Sequence, residues 1–330
     1  MNFSQRFAVL LVVVVSVLLA TTGYGQLIDT STKEGIGGLA FSPDGKMLLA
    51  SDSAGVVSVI DVTTKKEIHS FKTGQEWAKD PTFLSDGKSV AIANPDGTID
   101  VRNTKDWSTI STWKVHTDWV IGLELSRTKK TLFSVSRDLQ VCGVDAVSGK
   151  LRYKFSGHSE WVESLAESPD GELLVTGDWG GMIHVWDIKN EKSIKSNQAF
   201  GNIDAVKCLA FSPDGKLLVA AGQGGVIKIW DVTKWELVQK IVDPDNDVTS
   251  IIPWSDNSTF IFGGQNGSIV IVNGITGKRR KEIGVHDTKW VLKMALSPDA
   301  KTLASGDLDG HVKLWDLSKF TELHPDLPAK

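Results

Sequence analysis

An all-β fold, seven four-stranded antiparallel sheets set like the blades of a propeller, is what this 330-residue sequence predicts, on three observations. The first is a repeat. One turn block recurs as FSPDGK at 41, FLSDGK at 83, LSRTKK at 125, ESPDGE at 167, FSPDGK at 211, PWSDNS at 253 and LSPDAK at 296, with 42 to 44 residues between successive starts. The second is the content of one unit. Residues 294–297 (MALS) run into the turn Pro298-Asp299-Ala300, then 302–306 (TLASG) follow, and Asp307-Leu308-Asp309-Gly310 turns the chain into 311–316 (HVKLWD). Short runs rich in Val and Leu with Pro, Asp and Gly between them are the pattern of an antiparallel meander. The third is the period itself, since repeats of about 40–45 residues carry four strands per propeller blade. Seven units therefore predict a seven-bladed β-propeller over residues 26–330.

The first 25 residues stand outside that repeat. Arg6 precedes a 13-residue apolar run, residues 8–20, and TTGYG ends in small residues spaced for cleavage after Gly25. That is the layout of a secretory signal, and the run is short of the roughly 20 residues a membrane-crossing helix needs. A secreted or periplasmic protein is expected, with a retained N-terminal membrane anchor as the alternative. Cleavage removes only Arg6 among the charges, so the formal net charge moves from −4 to −5. Weak acidity argues against a nucleic-acid surface, which needs a concentrated basic face. The one basic run, Lys278-Arg279-Arg280-Lys281, falls where the outer strand of unit six belongs, and charged edges deter strand-to-strand pairing.

Cys142 and Cys208 fall in non-adjacent units, so a disulfide, with its Cα atoms about 5.5 Å apart, is not expected. Each serves as a small apolar filler. Asn257 and Asn266 match the N-glycosylation pattern, which matters only in a eukaryotic host. First strands read GLAFS, LELS, SLAES, CLAFS and MALS, packing Leu or Met between blades. Ring closure has two candidates, residues 26–29 (QLID) and residues 320–324 (FTELH), and a monomer is expected.

Unit endings identify a family. VWD at 185–187, IWD at 229–231 and LWD at 314–316 carry a Trp-Asp ending, and VID at 59–61, VRN at 101–103, GVD at 143–145 and IVN at 271–273 are degraded forms. The chain resembles the WD-repeat β-propellers over essentially all of 26–330. The resemblance implies a structural hydrogen-bond chain of His, Ser, Asp and Trp. By motif position the last unit holds all four, His286, Ser305, Asp309 and Trp315. Unit three keeps His116, Ser134 and Asp138 with Val144 for the Trp, and unit four keeps His158, Thr176 and Trp186 with Gly180 for the Asp. It also implies N-terminal closure and partner docking on the face that carries the second-to-third turns.

Catalytic patterns are absent. There is no G-x-S-x-G, H-E-x-x-H, C-x-x-C or phosphate-cradling glycine loop. His116, His158 and His286 match the structural histidine, and the other histidines share no site. Channel-side positions hold Lys79, Asp80, Glu163, Lys207 and Lys293 in mixed company. Neither a metal nor any other cofactor is expected, and the chain is read as a non-enzyme.

The informative feature is a tryptophan register. Just before the first strand the units read Gly35, Trp77, Trp119, Trp161, Ala205, Asp247 and Trp290, at the repeat spacing and so in one ring on one face. The second-to-third turns share that face, led by Asp52, Asn94, Ser136, Asp178, Gly222, Gly264 and Asp307. Ser53, Pro95, Arg137, Trp179, Gln223, Gln265 and Leu308 come next. A Trp there can simply cover a strand start, but blades five and six carry Ala205 and Asp247 with glycine-rich turns. Large aromatics with an acidic fringe suit a binding surface. The expected site is Trp77, Trp119, Trp161, Trp179 and Trp290 with Asp52, Asp178, Asp307 and Arg137, taking a protein or peptide with a basic segment through charge and cation–π attraction. The alternative is a propeller enzyme or small-molecule sensor using the channel mouth.

Overall fold

The computed structural model of the protein describes residues 25–198, 205–242, 247–254, 256–287 and 290–323. The expected signal, apart from Gly25, and the C-terminal residues 324–330 lie outside them. The described residues form seven antiparallel sheets of four strands, spanning 36–72, 79–114, 120–156, 162–198, 206–242, 248–285 and, for the seventh, 291–316 joined by 25–28. These are blades one to seven below. Strand order follows sequence in the first six. In the seventh, Gly25–Ile28 pairs antiparallel with Val312–Asp316, Gly25 opposite Trp315 and Ile28 opposite Val312. The N-terminal strand closes the ring, and Leu317–Leu323, which includes most of the other candidate, is a 3-10 turn instead.

Two glycines let that closure happen. A Cβ on Gly25 would stand 2.5 Å from the Trp315 ring, and one on Gly284 would also strike it, so backbone on both sides lies flat against the indole. Only glycine permits such approach.

The turn block has a local logic. In blade one the Ser42 hydroxyl donates to Asp44 (2.6 Å), accepts the Met47 N–H (2.9 Å), and leaves Asp44 to accept Lys46 N–H (3.1 Å). Ser212 with Asp214 and Ser297 with Asp299 repeat it. Gly45 sits at φ 71°, the left-handed conformation such a turn requires, and Ala300 takes the same role at φ 57°.

The core lies between blades. Ala166, Val175 and Val185 of blade four, for example, pack on Leu209, Phe211 and Trp230 of blade five. Each blade has a register shift near the start of its first strand, as between Val120 and Gly122 or Val162 and Ser164, which adds local twist. Antiparallel connectivity sends all first-to-second turns to one face of the disc. The loops before first strands and the second-to-third turns go to the other.

Candidate functional site

Side-chain chains anchor the loops of that second face. In blade seven Trp315 Nε1 donates to Ser305 Oγ (2.8 Å), Ser305 Oγ bonds His286 Nε2 (2.6 Å), and His286 Nδ1 bonds an Asp307 carboxylate oxygen (2.9 Å). The acid is therefore Asp307 and not the expected Asp309. Asp307 ends a strand with its side chain turned inward, where it also accepts the N–H groups of Asp309 (3.0 Å) and His311 (2.8 Å). Asp309 is exposed.

Blade four corrects the motif reading in the same way. Asp178, not position 180, bonds His158 (2.7 Å), and Thr176 links His158 (2.7 Å) to Trp186 Nε1 (2.8 Å), so the chain is complete there. Blade three has Ser136 at the strand end, which cannot serve as the acid. Asp138 reaches back from the turn to His116 (3.0 Å), as expected.

These bonds remove the acidic fringe. Asp52, Asp178 and Asp307 are 1% exposed or less, and Asp52 accepts the backbone N–H groups of Lys33 and Val56. Carboxylates spent on backbone and histidine donors offer nothing to a partner's cation, which takes away the physical ground for a basic segment.

The tryptophans are placed differently. Trp77, Trp161, Trp179 and Trp290 are 38–48% exposed, and Trp119 is half-buried. In blades one and three to six the carbonyl of the pre-strand residue accepts the N–H of the turn beside it, Arg137 to Trp119 (3.0 Å) and Trp179 to Trp161 (2.8 Å) among them, so register partners stay adjacent. Side chains then link across blade seams. Trp77 and Trp119 rings lie 6.1 Å apart, the Arg137 guanidinium sits 4.0 Å from Trp119 and 4.4 Å from Trp161, Trp161 meets Trp179 edge-on at 6.0 Å, and Lys207 Nζ lies 3.7 Å over Trp179. One stack thus runs from blade two to blade five, with its own cations already on the ring faces.

Trp290 is not in that stack. It joins Trp77 in lining a cavity of about 620 Å³ at the channel mouth. Both hold left-handed backbone, φ 59° for Trp77 and 56° for Trp290, a conformation costly for a bulky side chain. The wall has one residue per blade, two positions past the tryptophan register: Gly37, Lys79, Ile121, Glu163, Lys207, Thr249 and Leu292. That ring was legible from the repeat spacing, yet sequence reasoning saw only mixed charges. Lys207 pairs with Glu163 (3.5 Å) and Lys293 with Asp80 (2.8 Å). Burial pushes the Lys79 ammonium below its ordinary pKa, opposed by Glu163 and Asp80 and reinforced by Lys293 and Arg137. Glu34 and Asp309 stand on the blade one and blade seven side of the rim.

The glycine-rich sector is closed on itself. Asp247 accepts the Gly224 N–H (2.8 Å) and the Gln265 side-chain amide (2.8 Å). At the far end of the channel, burial raises the Glu124 carboxyl to about 7, against the pull of Arg127, and raises Glu167 too. Among the described residues no group of three His, Cys, Asp or Glu side chains could hold a metal ion.

Comparison with known proteins agrees with this architecture. The WD domain, G-beta repeat model matches residues 149–187, 195–231 and 277–316, and the anaphase-promoting complex subunit 4 WD40 domain model matches 25–80. An uncharacterized WD repeat-containing protein of Synechocystis sp. is 30% identical over 143 residues, 43% of this chain and 41% of that protein. The guanine nucleotide-binding protein subunit beta of Saccharomyces cerevisiae is 24% identical over 154 residues, covering 46% of this chain and 34% of its own length. Telomerase protein component 1 of Rattus norvegicus is 22% identical over 281 residues, 85% of this chain but 10% of that protein. The chain thus spans less than half the length of each of these relatives. With Trp-Asp strand endings, buried His–Ser/Thr–Trp chains and a ring of seven four-stranded sheets, it belongs to the WD-repeat family.

Proposed function

We propose that the chain is a non-catalytic scaffold acting outside the cytoplasm, which docks a protein or peptide on its tryptophan face over blades two to four. The observation that carries this reading is the stack from Trp77 through Trp119, Arg137, Trp161 and Trp179 to Lys207, packed side chain on side chain and part-exposed. Flat aromatics fixed by neighbours lose little rotamer entropy on binding and make good anchors. Trp290 extends the surface from blade seven across the channel mouth. The self-paired Asp247–Gln265 sector is the less suitable side. A small-molecule sensor is the second reading, favoured by the 620 Å³ cavity, a size suited to a compact ligand.

The test is recovery of a partner from the extracytoplasmic fraction of the source cells. Trp161→Ala and Trp179→Ala, each with the wild-type melting temperature, should abolish recovery, while Gln223→Ala should not. Equal behaviour of the two groups would make the tryptophan register mere packing.

A further inference from the structure

Two cations on the tryptophan face make no ion pair among the described residues. Arg137 lies between Trp119 and Trp161, at 4.0 and 4.4 Å from the ring centres, and its Nε is buried with no hydrogen-bond acceptor. Lys79 lines the channel mouth without an ion pair, although Lys207 and Lys293 beside it each have one. A contrast is available in the same molecule. Arg102 is also partly buried, but its terminal nitrogens donate to the carbonyls of Trp107, Lys72 and Thr73 and so fasten a turn. Arg102 Nε is likewise buried without an acceptor, but the Arg137 side chain makes no hydrogen bond at all among the described residues.

The geometry restricts what Arg137 can bind. The guanidinium carbon lies over two indole rings, which cannot accept its in-plane N–H groups. What is left is the fork of terminal nitrogens, which make no bond among the described residues and reach the half-exposed surface, beside the buried Nε. Such a fork matches the two oxygens of a carboxylate, and the buried Nε without an acceptor adds a cost that leaves this guanidinium poorly satisfied within the protein. Lys79, two positions past the Trp77 whose ring meets Trp119, puts a second cation on the channel-mouth side of this group, and the Arg137 charge contributes to the lowering of its pKa.

We propose that Arg137 and Lys79 form an oxyanion site that receives the side-chain carboxylate of an Asp or Glu in the docked partner, with an apolar neighbour of that residue entering the channel mouth beside Trp77, Leu308 and Trp290. The inference rests on the docking reading and reverses the partner's charge: the scaffold takes an acidic residue, not a basic one. A single carboxylate on an otherwise apolar segment fits better than a polyanion. Glu34, Asp309 and Glu163 line the mouth, and the whole chain carries a formal charge of −4, so a run of negative charge would be repelled.

The test uses capped peptides with a central Glu between two Leu residues, and their Gln and Lys counterparts, titrated into the protein while indole N–H signals are followed by NMR. The Glu peptide should shift the Trp119 and Trp161 indoles and bind about tenfold more tightly than the Gln peptide, the difference one charge-assisted pair makes. Arg137→Gln should abolish that preference. Lys79→Gln, which lies outside the stack and leaves it intact, should reduce the preference several-fold. Arg137→Lys keeps the charge but not the fork, and should retain less than half of the preference in logarithmic measure. Inorganic phosphate alone at the same concentration should not displace the Glu peptide. Preference for the Lys peptide, Glu and Gln peptides binding alike, indifference to both Gln variants, or phosphate competing on equal terms would each overturn the proposal. If partner recovery still requires Trp161 while the Glu preference is missing, the oxyanion site fails and the docking face stands. If recovery ignores Trp161, the docking face itself fails.

Discussion

Replacing Trp315 with alanine should destabilise the protein by about 3–5 kcal/mol, the range for removing a large buried aromatic. The structure supplies the reasons. Trp315 is 1% exposed, packs with Ile283, Met294 and Phe320 across the blade six–seven seam, and is flanked by the backbone of Gly25 and Gly284. Its removal leaves a slot that those two stretches of paired backbone cannot easily close. It also deprives Ser305 Oγ of its indole donor (2.8 Å), adding about 1 kcal/mol. Trp315→Phe keeps most of the ring and loses the donor, so it should cost well under half as much. The assay is urea unfolding, reading midpoints at unchanged slope. Gly25–Ile28 is the edge strand of blade seven, pairing only with Val312–Asp316 and with Gly25 opposite Trp315, so amide exchange there should speed up most in the alanine variant. Trp179→Ala, at a turn tip, should cost under about 1 kcal/mol. A Trp315→Ala midpoint within about 1 kcal/mol of wild type, or phenylalanine as damaging as alanine, would refute the assignment of this residue as the keystone of the closing seam.

In blade four, Asp178→Asn should cost about 1–3 kcal/mol by weakening a buried bond to His158, while Gly180→Ala, where a Cβ would stand 3.0 Å from Glu160 Cγ and 3.5 Å from Asp178 Oδ1 on ordinary backbone, should cost less; the reverse order in thermal melts would restore position 180 to the motif. Glu124 has a folded pKa of about 7 against an ordinary 4.5, so the unfolded chain ionises first and stability is lost as pH rises from 4.5 through 7. Glu124→Gln should therefore raise the urea midpoint near pH 8 by the equivalent of on the order of 2 kcal/mol and leave it unchanged near pH 4; equal effects at both would show the carboxyl is not buried as a charge. Burial raises the Cys142 and Cys208 thiols to about 11 and 12, so alkylation near pH 8 should label neither until urea unfolds the protein, as mass spectrometry would report.

The blade count, strand order within blades and the common ring of tryptophan positions were all readable from the sequence, because each follows from a local pattern copied at a fixed interval. Pro, Asp and Gly mark the turns, apolar runs mark the strands, and 42 to 44 residues of spacing put equivalent positions at equivalent places. The ring two positions past the tryptophans was equally periodic and went unread only because its charges looked unrelated.

Tertiary structure decided the rest. Whether Asp307 or Asp309 meets His286 depends on which way a side chain points at a strand end, a difference of two residues that the motif does not encode. The same direction turned Asp52 and Asp178 from surface acids into buried acceptors. Closure by Gly25–Ile28 required a pairing between opposite ends of the chain, and sequence left two segments equally able to make it. Arg137 stood in the sequence as a stray cation among expected acids. It became the centre of the face because its guanidinium lies over the rings of both Trp119 of its own blade and Trp161 of the next, a contact across a blade seam between residues 24 positions apart that no pattern within one repeat can specify.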